Sequence, residues 1–206
     1  MKICGLTRAR DVKCAVLCGA DAVGFVFADS PRRIDVSHAE ELAGLVPVSV
    51  LRVGLFLDQD AAFIEAVLEA VALDVLQFHG RESEAQCARY GRPWLKAVAM
   101  QDGDSLQRAL DDYPGAMGLL LDSHEAGRRG GSGKTFDWSL AQAANKPLWL
   151  AGGLNAGNVG AAMAAVSPFA VDVSSGVEAA PGIKDAGKIE AFCAAVRRAD
   201  ATAGIE

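Results

Sequence analysis

Residues 48–80 read VSVLRVGLFLDQDAAFIEAVLEAVALDVLQFHG, and this stretch decides the fold. It opens with a nearly continuous apolar run over 48–57 and closes with a second run over 75–79. Apolar runs without strict alternation are typical of strands buried on both faces of a parallel sheet. The segment between them is amphipathic, because its apolar side chains recur at the spacing of one helix face: Ile64, Val67, Leu68 and Val71. The stretch therefore predicts strand, helix, strand.

The same alternation continues in both directions along the chain. Apolar runs at 2–5, 22–27, 48–57, 75–79, 94–99, 118–122, 147–151 and 170–174 predict strands. Helices are predicted near 7–18, 37–46, 59–72, 83–90, 105–112, 137–144, 156–166 and 186–199, and two of them begin with apparent capping boxes, Ser37-x-x-Glu40 and Ser83-x-x-Gln86. Eight strands that alternate with eight helices predict a single-domain (β/α)8 TIM barrel with eight parallel strands over residues 1–206, with an open doubly wound sheet as the alternative.

Composition limits the classes of function. The 206 residues are 51% hydrophobic and carry a net charge of -6, so the chain can bury a large core and is not suited to nucleic-acid binding. No apolar run reaches the length of a membrane span. The five cysteines are an odd number without a C-x-x-C pair, and the N-terminal residues lack the pattern of a secretion signal. We therefore expect a cytoplasmic protein without disulfides or a structural zinc site, and a monomer.

Two neighbouring loops predict a phosphate site. Gly152 and Gly153 follow the seventh strand, and Ser174 and Ser175 follow the eighth. Barrels often bind phosphate with these two loops, because glycines allow backbone N–H groups to approach an anion and serine hydroxyls donate hydrogen bonds.

A third glycine-rich segment, residues 131–135 (GSGKT), resembles part of a P-loop. The P-loop requires a glycine where Arg128 stands, so nucleotide binding is not favoured. A mobile lid over the barrel mouth is the preferred interpretation.

Two residues at strand ends are candidates for acid–base catalysis. Cys4 and Asp122 stand at the ends of the first and sixth strands, so a barrel brings both to its mouth. A thiolate can act as a base and a protonated carboxyl group as an acid, a pair that suits an isomerisation. The alternatives are a core thiol for Cys4 and a strand-end cap for Asp122. The remaining cysteines fall in predicted helices and are expected to be structural: Cys14, Cys18, Cys87 and Cys193.

Other charged residues are less specific. Arg32 and Arg33 follow the second strand, where a guanidinium can pair with a carboxylate. His79 ends the fourth strand and is expected at the mouth. The histidines do not have metal-ligand spacing, so we expect no metal.

Several of these segments together resemble phosphoribosylanthranilate isomerase. The resemblance runs in one register from residue 2 to about 184, and these stretches carry it: KICGLT at 2–7, GFVF at 24–27, SPR at 30–32, QFHG at 77–80, LD at 121–122, GSGKTFDW at 131–138, AGGL at 151–154 and VDVSSGVE at 171–178.

The resemblance implies an enzyme of tryptophan biosynthesis that needs no cofactor. The family converts N-(5-phosphoribosyl)anthranilate, a small phosphosugar, into 1-(2-carboxyphenylamino)-1-deoxyribulose 5-phosphate by an Amadori rearrangement. The resemblance implies that Asp122 is the general acid, that Cys4 is the general base and that Arg32 faces the anthranilate carboxylate. It also implies that Asp172 lines the pocket floor and that Gly152, Gly153, Ser174 and Ser175 bind the phosphate. Arg33 stands where the family often has an aromatic residue, which leaves the choice between Arg32 and Arg33 open.

Two alternatives remain at this stage. Another phosphosugar barrel is the nearest, but the histidine-pathway isomerase normally uses two aspartates, and ribulose-phosphate 3-epimerase uses a metal. The second is a phosphate-ligand binding protein without catalysis, which would have no need for a matched acid and base.

Overall fold

The structure is a computed structural model that describes residues 1–123, 135–141 and 144–204. Eight parallel strands are β1 Lys2–Cys4, β2 Ala22–Val26, β3 Leu51–Phe56, β4 Val75–Phe78, β5 Trp94–Ala99, β6 Gly118–Asp122, β7 Leu148–Leu150 and β8 Ala170–Val173. They pair in chain order, and the pairing of β1 with β8 closes the sheet. The predicted barrel of eight parallel strands is confirmed, and the open sheet is excluded.

Within the described residues, seven α-helices surround the barrel: α1 Ala9–Leu17, α2 Val36–Ala43, α3 Ala61–Ala70, α4 Glu84–Ala88, α5 Ser105–Asp112, α6 Val159–Val166 and α7 Ala186–Ala203. The helix predicted over 137–144 is wrong as stated, because a short 3-10 turn, Trp138–Leu140, begins there instead. The Asp137 side chain accepts hydrogen bonds from the Ser139 amide and hydroxyl. Such local bonds compete with helical hydrogen bonding.

The two predicted capping boxes have different outcomes. Ser83 caps α4 as predicted, with reciprocal hydrogen bonds between Ser83 and Gln86. At α2 the N-cap is Asp35, whose carboxylate accepts from the His38 amide, while the Ser37 hydroxyl donates to Asp35. The box predicted at Ser37 is therefore wrong, because a carboxylate two residues earlier captures the amide at the helix start.

The barrel interior is apolar below and polar above. Alternate residues of each strand point inward, and the lower inward positions form one buried apolar cluster: Ala22, Val53, Val75, Leu95, Leu120, Trp149 and Ala151. One inward position beyond Val75 and Ala170 lie Gln77 and Asp172, and both accept hydrogen bonds from Lys2 of β1. Gln77, Asp172 and Lys2 are all buried. The interior thus changes from hydrocarbon to charge just below the barrel mouth.

A two-stranded antiparallel hairpin follows β8 and was not predicted. Its strands are β9 Glu178–Ala180 and β10 Ile183–Lys184. Thr7 donates to the Gly182 carbonyl and Arg8 to the Lys184 carbonyl, so the loop after β1 holds the hairpin. The hairpin places two charged residues, Glu178 and Lys184, beside the mouth.

Two features concern the cellular setting. None of the helices in the described ranges is long and apolar enough to cross a bilayer. The five cysteines are free thiols.

Replacing Phe56 with alanine is expected to lower the free energy of unfolding by about 3–5 kcal/mol. Phe56 is fully buried and stacks on Phe27 with ring centroids 5.2 Å apart. Urea denaturation measures the change. The control is Val48→Ala at a side chain that is 98% exposed, which should shift the value by less than about 0.5 kcal/mol. Equal losses in the two variants would contradict the packing assigned to Phe56.

Candidate active site

A cleft of about 780 Å³ opens at the carboxyl ends of the barrel strands. All eight residues that the sequence predicts for the site line it: Cys4, Arg32, Asp122, Gly152, Gly153, Asp172, Ser174 and Ser175. Gln77 and His79 line it as well. The end of the barrel where loops carry function in this fold is thus also where the predicted residues meet.

Cys4 ends β1 and lies in the wall of the cleft rather than in the outer core. It pairs in register with Gly24 of β2, and a Cβ at that position would come within 2.7 Å of the Cys4 sulfur. The absent side chain of Gly24 therefore makes room for the thiol. Cys4 is 4% exposed, so a small reactant reaches the sulfur only through the cleft.

The charges around Cys4 act in opposite directions. Burial raises the pKa of the Cys4 thiol above its ordinary value. The ammonium group of Lys2 opposes this rise, the Asp172 carboxylate adds to it, and Lys184 opposes it again. A charged thiolate is thus favoured by two lysines and disfavoured by the apolar surroundings and one carboxylate.

Lys2 lies one inward position below Cys4 on the same strand and is fully buried. Its Nζ donates to Asp172 Oδ1 at 3.0 Å and to Gln77 Oε1 at 2.9 Å. Burial works to lower the pKa of Lys2, but Asp172 and Cys4 outweigh it and the pKa lies above its ordinary value. Lys2 is therefore an ammonium ion inside the barrel.

Asp122 ends β6, and its Oδ2 lies 3.5 Å from His79 Nε2. The orientation of His79 follows from a chain of donors. Lys2 only donates, so Gln77 turns its carbonyl oxygen toward it and its amide nitrogen toward His79 Nδ1, at 3.4 Å. In the neutral imidazole Nδ1 then accepts and Nε2 carries the proton that faces Asp122.

Arg32 lies in the cleft, whereas Arg33 is exposed. Arg32 Nε and Nη2 donate to the two carboxylate oxygens of Glu178 at 2.7 and 2.8 Å, a bidentate pair. Lys184 Nζ donates to the same carboxylate at 2.9 Å. Burial works to raise the pKa of Glu178, but Arg32 and Lys184 hold it below its ordinary value. The guanidinium predicted to face a substrate carboxylate already has one carboxylate partner.

The loops after β7 and β8 form one side of the cleft. Gly152 and Gly153 adopt φ angles of 82° and 64°, a left-handed conformation that glycine adopts without strain. A Cβ on Gly152 would also come within 3.0 Å of Asp122 Oδ1. On the other loop, Lys184 Nζ contacts the Ser174 carbonyl at 3.0 Å and its hydroxyl at 3.3 Å. A lysine thus adds positive charge beside the two serines.

Comparisons with known proteins bear on this arrangement. Residues 1–195 match the family model of N-(5'phosphoribosyl)anthranilate (PRA) isomerase. The chain belongs to that family. An N-(5'-phosphoribosyl)anthranilate isomerase from Pseudomonas putida (strain W619) is 54% identical over 200 residues, covering 96% of this chain and 97% of the relative. One from Pseudomonas paraeruginosa is 51% identical, covering 96% and 94%.

Solved structures of the phosphoribosylanthranilate isomerase family share the fold. The enzyme from Thermotoga maritima superposes with a TM-score of 0.87 at 40% identity, covering 96% of this chain and 98% of that one. A family member in complex with reduced 1-(o-carboxyphenylamino)-1-deoxyribulose 5-phosphate superposes with a TM-score of 0.82 at 37% identity, covering 96% and 97%.

The family resemblance does not supply every polar group of the cleft. Lys2, Gln77, Glu178 and Lys184 were not predicted as parts of the site, although the first three lie in stretches that carry the resemblance and Lys184 lies where the resemblance ends. Residues 131–134 of the predicted lid lie outside the described residues. Among the residues that are described, there is no group of three or more His, Cys, Asp or Glu side chains that could hold a metal ion.

Glu178→Gln is expected to flatten the acid side of the stability profile. Because the pKa of Glu178 lies below its ordinary value of 4.5, its stabilising effect is complete above that pH and is lost as the pH falls through the lower folded-state value. At pH 7 the variant leaves two buried cations short of a carboxylate and should lose about 3–5 kcal/mol.

Urea denaturation at pH 7 and pH 3 tests this prediction. The wild type should lose more stability between the two pH values than Glu178→Gln does. Glu69→Gln, at an exposed position of α3, is the control and should keep the wild-type slope. An identical slope in all three proteins would show that Glu178 does not contribute.

Proposed function

We propose that this chain catalyses the Amadori rearrangement of N-(5'-phosphoribosyl)anthranilate, as a step of tryptophan biosynthesis. The observation that carries the proposal is one cleft, in a chain of this family, that is lined by a thiol, a carboxyl group, a guanidinium group and two loops of glycine and serine. The enzyme is an isomerase, so the product has the atoms of the substrate in a new arrangement. An acid and a base suffice for that chemistry.

Two negative groups of the substrate need local partners, since the protein itself carries a net charge of -6. We assign the phosphate to Gly152, Gly153, Ser174 and Ser175. Glycine backbone amides and serine hydroxyls are suitable donors, and Lys184 adds charge behind them. We assign the anthranilate carboxylate to Arg32. Its Nε and Nη2 donate to Glu178, and its Nη1 carries further N–H donors that can bind a second carboxylate.

The first step opens the ribose ring. Asp122, in its protonated form, gives its proton to the ring oxygen, the bond from that oxygen to C1′ breaks, and the lone pair of the anilino nitrogen forms a C=N⁺ bond. Asp122 is suited to this role because it lies at the mouth beside the Nε2 proton of His79. A donor there stabilises the carboxylate that the transfer leaves behind.

The second step removes the proton from C2′. The Cys4 thiolate takes it, the C2′–H electron pair forms the C1′=C2′ bond, and the C=N⁺ electrons return to nitrogen. The resulting enolamine becomes the ketone when the C2′ hydroxyl loses its proton and C1′ gains one. Asp172 lines the floor of the cleft and accepts a hydrogen bond from Lys2.

Several further expectations remain predictions. We propose one domain over residues 1–206, a cytoplasmic location and no requirement for a metal or cofactor. We also propose a monomer, although one solved Thermotoga maritima relative is described as monomers generated from a dimeric enzyme.

Wild-type protein is expected to consume phosphoribosylanthranilate generated in situ, followed by the loss of anthranilate-type fluorescence in buffer with a chelator. Cys4→Ser should lower kcat by about 10²–10⁴. A serine hydroxyl is a far weaker acid than a thiol, so it does not ionise to the anion that would take the C2′ proton. Cys14→Ser, on α1 and outside the cleft, is the control and should keep wild-type turnover. A folded wild type without turnover would favour a binding protein or another phosphosugar substrate.

Asp122→Asn should also lower kcat by about 10²–10⁴, because an amide cannot donate the proton that opens the ring. Asp112→Asn, at an exposed position of α5, matches the chemical change away from the cleft and should have little effect. Steady-state kinetics measure both variants. A drop of less than tenfold for Asp122→Asn would remove this residue from the acid role.

A further inference from the structure

The buried ammonium group of Lys2 has no assigned role in the reaction. Charged side chains are almost never fully buried unless they are paired, because removal from water costs several kcal/mol per ion. Lys2 has a partner in Asp172, yet an apolar pair of the same volume would fill this part of a barrel at no such cost. The position of the charge therefore calls for an explanation beyond packing.

The surroundings of Cys4 contain more cations than carboxylates. Lys2 on the same strand, Arg32 after β2 and Lys184 on β10 each exert an electrostatic effect on the thiol. The carboxylates on this side are Asp172, bound to Lys2, and Glu178, shared by Arg32 and Lys184. Across the mouth lie His79 and Asp122. With Cys4 as a thiol the near cluster has one cation in excess, and a thiolate makes it neutral.

Of the three cations, Lys2 is the one that lies on the same strand as Cys4, two residues before it. Arg32 lines the cleft, where Glu178 and a substrate carboxylate both pair with it, and Lys184 is bound by Glu178 and by the Ser174 carbonyl. Among the described residues, those that line the cleft include Cys4, Asp172 and Gln77 but not Lys2. A bound substrate therefore meets Asp172 and Gln77 but not the ammonium group of Lys2 itself.

We propose that Lys2 is a positioning residue that supplies the counter-charge for the Cys4 thiolate, held below the sulfur by Asp172 and Gln77. This inference rests on the proposed role of Cys4 as the base. Lys2 itself transfers no proton. When the thiolate takes the C2′ proton, an S–H bond forms, the C2′–H bond breaks, and the electron pair passes toward the C=N⁺ group of the substrate.

The direct test is the pH dependence of Cys4 alkylation by iodoacetamide in the intact protein, followed for each cysteine by mass spectrometry. Lys2→Gln should raise the apparent pKa of Cys4 by about one to three units, which slows alkylation at pH 8 at least about tenfold. Asp172→Asn should shift it the other way, because Asp172 disfavours the thiolate. Cys87 and Cys193, buried away from the cleft, serve as internal controls for folding.

Lys2→Gln removes the ion-pair partner of the buried Asp172, and the variant could for that reason fail to fold. A second comparison therefore uses a variant in which both charges are removed. The double variant Lys2→Gln/Asp172→Asn replaces the ion pair by two amides. Compared with Asp172→Asn alone, it isolates the Lys2 charge, and Cys4 should again titrate at a higher pH. Equal Cys4 alkylation profiles in the presence and absence of Lys2, in either comparison, would overturn the proposal.

Turnover separates this proposal from the proposed function. Lys2→Gln should lower kcat at least about tenfold at pH 8 while KM changes little, and raising the pH should restore part of the loss. A KM change without a kcat change would mean that Lys2 acts on binding and would overturn the inference. If wild type fails to turn over phosphoribosylanthranilate while the alkylation shift is present, the proposed function fails and the Lys2–Cys4 coupling stands.

Discussion

The ion pair between Lys2 and Asp172 lies across the pairing of β1 with β8, where the first and last strands close the barrel. Its partners are 170 positions apart in the chain. An unpaired charge at this depth would cost several kcal/mol, so the closed barrel tolerates each partner only when β1 and β8 pair in the register that brings the two together. The pair adds little net stability against a hydrophobic alternative, but it penalises an open or misregistered β1–β8 edge. It also fixes the height at which the interior becomes polar.

The polar order of the mouth follows from that constraint. Lys2 donates in more than one direction and accepts in none, so its neighbours must present oxygen atoms to it. Gln77 does so, which turns its amide nitrogen to His79 and places the second imidazole nitrogen toward Asp122. The ammonium group of Lys2 thus orients Asp172 on β8 and Gln77 on β4. Through Gln77 it also orients His79, whose Nε2 faces Asp122 on the far side of the cleft.

The strands, and the place of Cys4, Asp122 and the glycine and serine loops at the strand ends, could be predicted from local pattern. Asp172 came only from the family resemblance, and the supporting charges were not predicted at all. The strands are short apolar runs in every case, and the largest error was at 48–57, where Val48 is exposed and β3 begins only at Leu51. The strand ends placed Cys4 and Asp122 in one cleft. Lys2 and Lys184 look like ordinary surface lysines in sequence, because their burial depends on Asp172 and on a hairpin held by Thr7 and Arg8. Local sequence does not contain such contacts.

The proposed cycle moves one negative charge across the cleft. It begins with a thiolate at Cys4 and a neutral Asp122, and it ends with a neutral thiol and a carboxylate. The cluster around Cys4, which includes Lys2, then again has one more cation than anion. On the far side, the negative charge of Asp122 lies beside the Nε2 proton of His79. Gln77 joins Lys2 to His79, and its amide does not readily carry a proton, so this chain of hydrogen bonds does not return the proton from Cys4 to Asp122. The hydrogen bonds that run from Lys2 through Gln77 to His79 therefore stabilise both charged states of the cycle. Lys2 places a cation below the Cys4 thiolate, and His79 places a donor beside the Asp122 carboxylate.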